Sequence, residues 1–188
     1  MIKSGALAVG WNSAERMTPA SYATHFVSEF VLEWMPILKP RNALNYAALT
    51  IPITAALCAF GGFLVAQEAA RRMLPRGRGT ILFTGASGSL RGNPGFAAFA
   101  AAKGGLRFMA QSMARELGPK GIHVATVLLD GAIDSKMMWR EHRERMEKLG
   151  SDGALPPDAV AETYWQIHCQ PRNAWSFEVD LRPWTQAF

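Results

Sequence analysis

Thr80-Ile81-Leu82-Phe83-Thr84 and the run from Ile122 to Leu129 are apolar almost throughout, and one long helical pattern lies between them. A strand with one face in water alternates polar and apolar residues, whereas a strand covered on both faces does not. Two such strands joined through a helix pair in parallel by a crossover connection. The intervening helix runs from about Phe96 to Leu117, with Leu106, Met109, Met113 and Leu117 on one face, and Gly118-Pro119 stops it. This unit restricts the chain to an α/β fold: a parallel sheet with helices on both faces.

The flanking sequence extends the alternation. A helix is expected over roughly residues 54–74, followed by the turn Pro75-Arg76-Gly77-Arg78-Gly79. Beyond Leu129, Lys136 to Leu149 reads as a charged helix, with Arg140/Glu144, Glu141/Arg145 and Glu144/Lys148 at spacing four, and Gly150 ends it. Pro157 opens a helix to about Cys169, and Ser176 to Asp180 reads as a last short strand. Toward the N-terminus, Ala6–Val9 and the stretch around Ala43-Leu44-Asn45 read as short strands. Between them Thr18-Pro19 starts a helix striped by Tyr22, Phe26, Phe30 and Trp34 and ended by Pro36.

Several function classes can be weighed from composition. Hydrophobic residues make up 49% of the chain, enough for a core and against disorder. The formal net charge of +5 is concentrated in Arg71, Arg72, Arg76 and Arg78 at a helix end, where cations complement the helix dipole. No aromatic residues interleave these arginines, which argues against nucleic acid. Cys58 and Cys169 form neither a disulfide framework nor metal spacing, and His168-Cys169 has no second ligand pair, so no metal is expected and a reducing, cytoplasmic compartment fits. Residues 42–67 carry no charge and are long enough to cross a bilayer. Pro52, Thr50, Thr54 and Gly61-Gly62 argue against a span, as does the unbroken continuation into Gln67-Glu68-Ala69-Ala70-Arg71-Arg72.

A family resemblance rests on ordered landmarks. These are Gly61-Gly62-Phe63, Gly79 to Phe83, Pro94-Gly95-Phe96-Ala97-Ala98-Phe99-Ala100-Ala101-Ala102-Lys103, Ala114 to Val124, and Asp130-Gly131-Ala132-Ile133-Asp134. Together they resemble the second half of a short-chain dehydrogenase/reductase. The resemblance implies a reduced Rossmann-like sheet, NAD or NADP as cofactor, a small carbonyl or alcohol as substrate, and a homo-oligomer paired through the helices at 54–74 and 96–117. The chain is then one truncated domain over 1–188, with 1–58 divergent and 59–188 family-like. The tail Asp180-Leu181-Arg182-Pro183 replaces the family's usual Asp-Gly-Gly ending.

The family's Tyr-x-x-x-Lys pair falls on Phe99 and Lys103. Thirteen positions before Phe99, where the family serine belongs, stands Ala86, with Ser87 one place out of register; the family asparagine slot falls on Cys58. The resemblance therefore assigns Lys103, Ser87 and the Phe99 position to catalysis. It assigns Lys103, Gly131, Ile133 and Ser135 to the nicotinamide end of the cofactor, with Met137, Met138 and Trp139 near the substrate. Phenylalanine has no proton to give, so general acid catalysis at residue 99 is excluded and Ser87 or water is left as a poor donor. Asp130 and Asp134 read as loop carboxylates. The family's N-terminal Gly-x-x-x-Gly-x-Gly turn, which lets a pyrophosphate approach a helix N-terminus, does not occur in the first sixty residues.

Those residues have two readings. They are either the family's third strand, next helix and Asn-Asn-Ala-Gly strand in altered form, or unrelated sequence joined to a family remnant, as a shifted reading frame produces. The functional expectation is an oxidoreductase, impaired or divergent. The alternatives are a non-catalytic member serving as a partner subunit and a membrane-associated protein built on residues 42–67.

Overall fold

The structure, a computed structural model, describes residues 7–8 and 56–187. The expected helix from Thr18, the strand near Leu44 and most of the uncharged run before Ala56 lie outside the described residues. Four strands form the main sheet in the order β1 (Leu7–Ala8), β2 (Gly79–Ala86), β3 (Ile122–Leu129) and β6 (Glu178–Leu181). β2 pairs with β3 in parallel over its whole length, from Gly79↔Ile122 to Ala86↔Leu129, and β3 pairs in parallel with β6. The sheet is not wholly parallel: β1 runs antiparallel to β2, with Leu7 opposite Leu82. A second, two-stranded sheet pairs β4 (Ala132–Ile133) with β5 (Ala154–Leu155).

A π-helical turn, Ala56–Phe60, leads into α1 (Gly61–Met73); α2 (Ala97–Leu117) connects β2 to β3. Both cover one face of the sheet, where Ile81, Phe83, Ile122 and Val124 meet Ala66, Ala70, Met73, Leu106 and Ala110. On the other face α5 (Pro157–His168) places Val160, Tyr164 and Ile167 against Ala125, Val127 and Leu129. Burial on both faces is why β2 and β3 read as continuous apolar runs.

The expected single helix over Lys136–Leu149 is two, α3 (Lys136–Glu141) and α4 (Arg143–Leu149), broken at His142, whose φ of −133° and ψ of 39° are not helical. Of the expected charge pairs only Glu144/Lys148 forms, at 2.7 Å, while Arg140 turns to Glu141. The break lets Met138 and Met146 both reach a small core under β4. At the opposite end of the main sheet, two turns are locked together at Gly121. Its φ is +83°, and a Cβ there would lie 2.2 Å from the Gly77 carbonyl oxygen, so only glycine fits.

Arg71, Arg72, Arg76 and Arg78 are all exposed, and Arg71 and Arg72 pair with Glu68. Among the described residues no helix is long and apolar enough to cross a membrane.

Candidate functional site at the C-terminal edge of the sheet

In open parallel sheets ligands bind beyond the carboxyl ends of the strands. Here those ends are Ala86, Leu129 and Leu181, followed by the short helical turn Ser87–Ser89 after β2, by Asp130-Gly131 after β3 and by Arg182-Pro183 after β6. Lys103 reaches this edge from the second turn of α2. It is 6% exposed, and its Nζ donates to the Thr84 carbonyl oxygen at 3.0 Å. Burial pushes its amine below the ordinary lysine value, partly offset by the nearby Cys58, which is half-buried. Cys58 therefore lies within electrostatic reach of the lysine.

Phe99 sits one helical turn before Lys103. A Cβ added to Gly88 would lie 2.8 Å from the Phe99 ring, so the ring rests directly on the turn after β2. An apolar ring, with no hydroxyl, thus packs one turn before Lys103. The Ser87 carbonyl oxygen accepts from the Leu90 and Arg91 amides, and Ser89 Oγ donates to the Ala86 carbonyl oxygen. These bonds fix the backbone of the turn that carries Ser87.

The remaining assigned residues are distributed as follows. Gly131 is closed in by the tail, since a Cβ there would lie 2.7 Å from Pro183 Cδ. Ile133 is buried in the core beneath α5. Ser135 caps α3: its Oγ accepts from the Met138 amide at 3.2 Å. Met138 is buried, Met137 is half-buried, and Trp139 is exposed with its indole N–H donating to Asp134 at 2.6 Å. Lys103, Ser87 and Phe99 converge on the end of β2, whereas Gly131, Ile133 and Ser135 line the chain beyond β3.

Three polar features are not evident from sequence spacing. Thr84 Oγ1 shares a 2.8 Å hydrogen bond with the buried Tyr164 hydroxyl while the Thr84 carbonyl holds Lys103, so one residue links α2 and α5 through the sheet. Burial pushes the Tyr164 phenol above its usual range, which removes it as an acid near neutral pH. Asp130, read from sequence as a loop carboxylate, is a buried anion. It accepts from Arg91 Nη2 at 3.1 and 3.0 Å and lies 3.4 Å from Arg182. The partners stand 39 and 52 positions away in sequence, so local pattern could not reveal them. At the far end of the sheet, His168 Nδ1 lies 3.0 Å from Thr80 Oγ1 and Cys169 is exposed.

A family model described as short chain dehydrogenase matches residues 39–146. The chain belongs to the short-chain dehydrogenase family. A crystal structure of a short-chain dehydrogenase from Rhodopseudomonas palustris is 44% identical, with a TM-score of 0.57 over 72% of this chain and 52% of that one. Short chain aldehyde dehydrogenase 1 of Euphorbia lathyris is 37% identical over 78 residues, 42% of this chain and 27% of that protein. A protein of Xanthobacter autotrophicus, named as an inactive 2-(S)-hydroxypropyl-CoM dehydrogenase, is 38% identical over 81 residues, 43% of this chain and 35% of its own length. The chain thus spans about half of the solved relative and about a third or less of the two curated ones.

Proposed function

We propose that this chain is an NAD(P)-linked oxidoreductase of the short-chain type with impaired turnover, acting on a small carbonyl or alcohol. One observation carries the reading: a buried cation, Lys103, stands at the carboxyl edge of the sheet with a single hydrogen bond among the described residues, to the Thr84 carbonyl. A buried ammonium is costly to the fold, and such groups concentrate at functional sites. Its two remaining N–H groups suit the nicotinamide ribose.

Lys103 fits the nicotinamide half of the cofactor, while Gly131, Ile133 and Ser135 are engaged by Pro183, the core and the α3 cap and would leave backbone alone to flank it. Lys103 would hold the ribose, and the chain from Gly131 to Ser135 would flank the nicotinamide. When bound, the cofactor supplies the hydride. The pyrophosphate half has no glycine-rich turn in this sequence to receive it. Proton delivery falls to Ser87 or water, because Phe99 cannot take part, and the expected result is slow chemistry.

Titration of NAD(H) and NADP(H) by calorimetry or nucleotide fluorescence tests the reading. Weak binding is expected, with a dissociation constant above about 100 μM, or about −5.5 kcal/mol. Slow turnover of a carbonyl panel at saturating nucleotide, abolished by Lys103→Met, supports the oxidoreductase. Absence of any nucleotide binding favours the second reading, a non-catalytic family member acting as a partner subunit. That reading is supported by Phe99, Ala86 and Cys58 together and by the relative whose name describes it as inactive.

A further inference from the structure

The positive charge of the chain is gathered at the end of the sheet opposite Lys103. Residues 68–78, 115–121 and 170–177, which lead into β2, β3 and β6, hold seven of the 20 basic residues and two of the 15 acidic ones, an excess equal to the whole formal net charge of +5. All three segments are clamped together. A Cβ on Gly121 would lie 2.2 Å from the Gly77 carbonyl oxygen, and Arg172 donates to that same oxygen at 2.7 Å. Arg76 and Arg78 flank Gly77, Lys120 precedes Gly121, and these three residues and Arg172 are all exposed. Four cations from three segments distant in sequence therefore stand around one backbone contact. Arg71, Arg72 and Arg115 extend the patch along the last turns of α1 and α2.

The carboxylates at this end do not balance the cations. Glu68 pairs with Arg71 and Arg72, and Glu116 reaches Lys120 at 3.5 Å. Arg76, Arg78, Arg115 and Arg172 face no carboxylate among the described residues; Arg115 and Arg172 donate to backbone carbonyls, which hold a guanidinium without neutralising it. Like charges fixed this closely repel, and a facing anionic surface relieves the repulsion. The cations lie on turns and helix ends, not along a helix or ribbon that enters a nucleic-acid groove, and no exposed aromatic ring stands in these segments to stack on a base. A bilayer of anionic lipids needs neither feature, because it holds cations by a plane of negative headgroups. Trp165, 47% exposed, flanks the patch: its ring lies 5.5 Å from His168, whose Nδ1 is 3.0 Å from Thr80 Oγ1 at the start of β2. A half-exposed indole suits the headgroup region.

We propose that this end of the sheet docks on the surface of an anionic lipid membrane. The turns at Gly77 and Gly121 meet the headgroups, with Arg76, Arg78, Lys120 and Arg172 against their phosphate and carboxylate groups. The contact needs no segment to enter the hydrocarbon, so the association is peripheral, reversible and sensitive to salt. The carboxyl edge with Lys103 faces away from the membrane, and the proposal does not depend on the oxidoreductase reading.

The full chain is floated with phosphatidylcholine vesicles that contain either no anionic lipid or about 30% phosphatidylserine. The anionic vesicles are expected to bind at least about tenfold more tightly, and that binding is expected to fall at least about fivefold between about 0.05 and 0.5 M salt. These two readouts need no variant. Arg76→Gln/Arg78→Gln/Lys120→Gln removes three charges from exposed side chains and is expected to abolish the lipid preference at an unchanged melting temperature. Arg140→Gln/Arg143→Gln/Lys148→Gln removes the same charge from exposed positions of α3 and α4 and is expected to keep most of it. Equal binding to both vesicles, no binding to either, binding indifferent to salt, or equal losses in the two triple variants overturns the proposal. A short DNA duplex is titrated in the same buffer, and binding to it without binding to the vesicles overturns the proposal in favour of nucleic acid.

Discussion

Phe99 and Lys103 pull in opposite directions. The lysine is buried at the strand edge, while the residue one turn earlier carries a phenyl ring with no proton to give. Phe99→Tyr alone is expected to leave dehydrogenase activity far below that of a complete enzyme. Ala86 and Cys58 still lack the polar groups of the family set, and groups that act as a unit are not restored singly. Robust turnover of the variant in an alcohol and ketone panel would refute this. Lys103 gives a second test. Its ammonium is desolvated and has one acceptor among the described residues, the Thr84 carbonyl. Replacing it with an unbranched apolar side chain removes a buried charge at the cost of one hydrogen bond. Lys103→Met is expected to leave stability unchanged or raise it by about 1 kcal/mol in thermal unfolding, while abolishing nucleotide binding. A loss of several kcal/mol would mean that Lys103 is structural.

At the other end of the sheet two histidines are expected to make stability depend on pH. His123, on β3, is buried; its Nε2–H donates to the Ser176 carbonyl at 2.8 Å and its ring stacks on Trp175 at 4.7 Å. Its Nδ1 has no partner among the described residues, and the titratable neighbour facing it from α5 is His168, so burial and that neighbour both disfavour the cation. His168 is likewise pushed down by burial. Both native histidines therefore bind protons less readily than in the unfolded chain. Their stabilisation is complete above the unfolded value of about 6.5 and is lost as pH falls below it toward the depressed folded values. The melting temperature should drop between about pH 6.5 and pH 5, and His123→Gln, which can still donate to Ser176, should flatten the drop. An unchanged slope in that variant would locate the effect elsewhere.

The sequence showed the boundaries of β3 and nearly those of α2 because apolar runs, helical periodicity and Gly-Pro punctuation are local signals. It did not show the break at His142, since the charge spacing continues across it and the cause is tertiary, the burial of both Met138 and Met146. Lys103 was legible through its neighbours in sequence. Its acceptor Thr84 and the Arg91–Asp130 pair were not, because those contacts join separate strands and helices.

At the scale of the molecule, the helix-covered face leaves apolar surface uncovered. Phe60, Phe63 and Leu64 project from the start of α1 and Phe108 from α2, with Phe108 66% exposed and Phe60 59%. A Cβ on Gly105 would lie 3.5 Å from Ala59, so the two helices meet where these side chains emerge. The alanines of α2 divide between two roles: Ala98 and Ala102 are buried within the chain, while Ala97 and Ala101 face outward, on the side that continues to Gly105 and Phe108. Small residues there permit close helix approach, and the phenylalanines supply apolar area. A contiguous exposed apolar surface usually marks an interface, and a two-fold pairing of like helices buries each patch against its own copy. The expected species is a homodimer with twice the 20.6 kDa mass of the chain in light scattering coupled to size exclusion without detergent. Phe108→Glu, which places a charge in each half of the pairing, should yield the monomer without lowering the stability of the single chain. A wild-type monomer at micromolar concentration would rule out this interface, and a requirement for detergent would favour membrane association through the uncharged run.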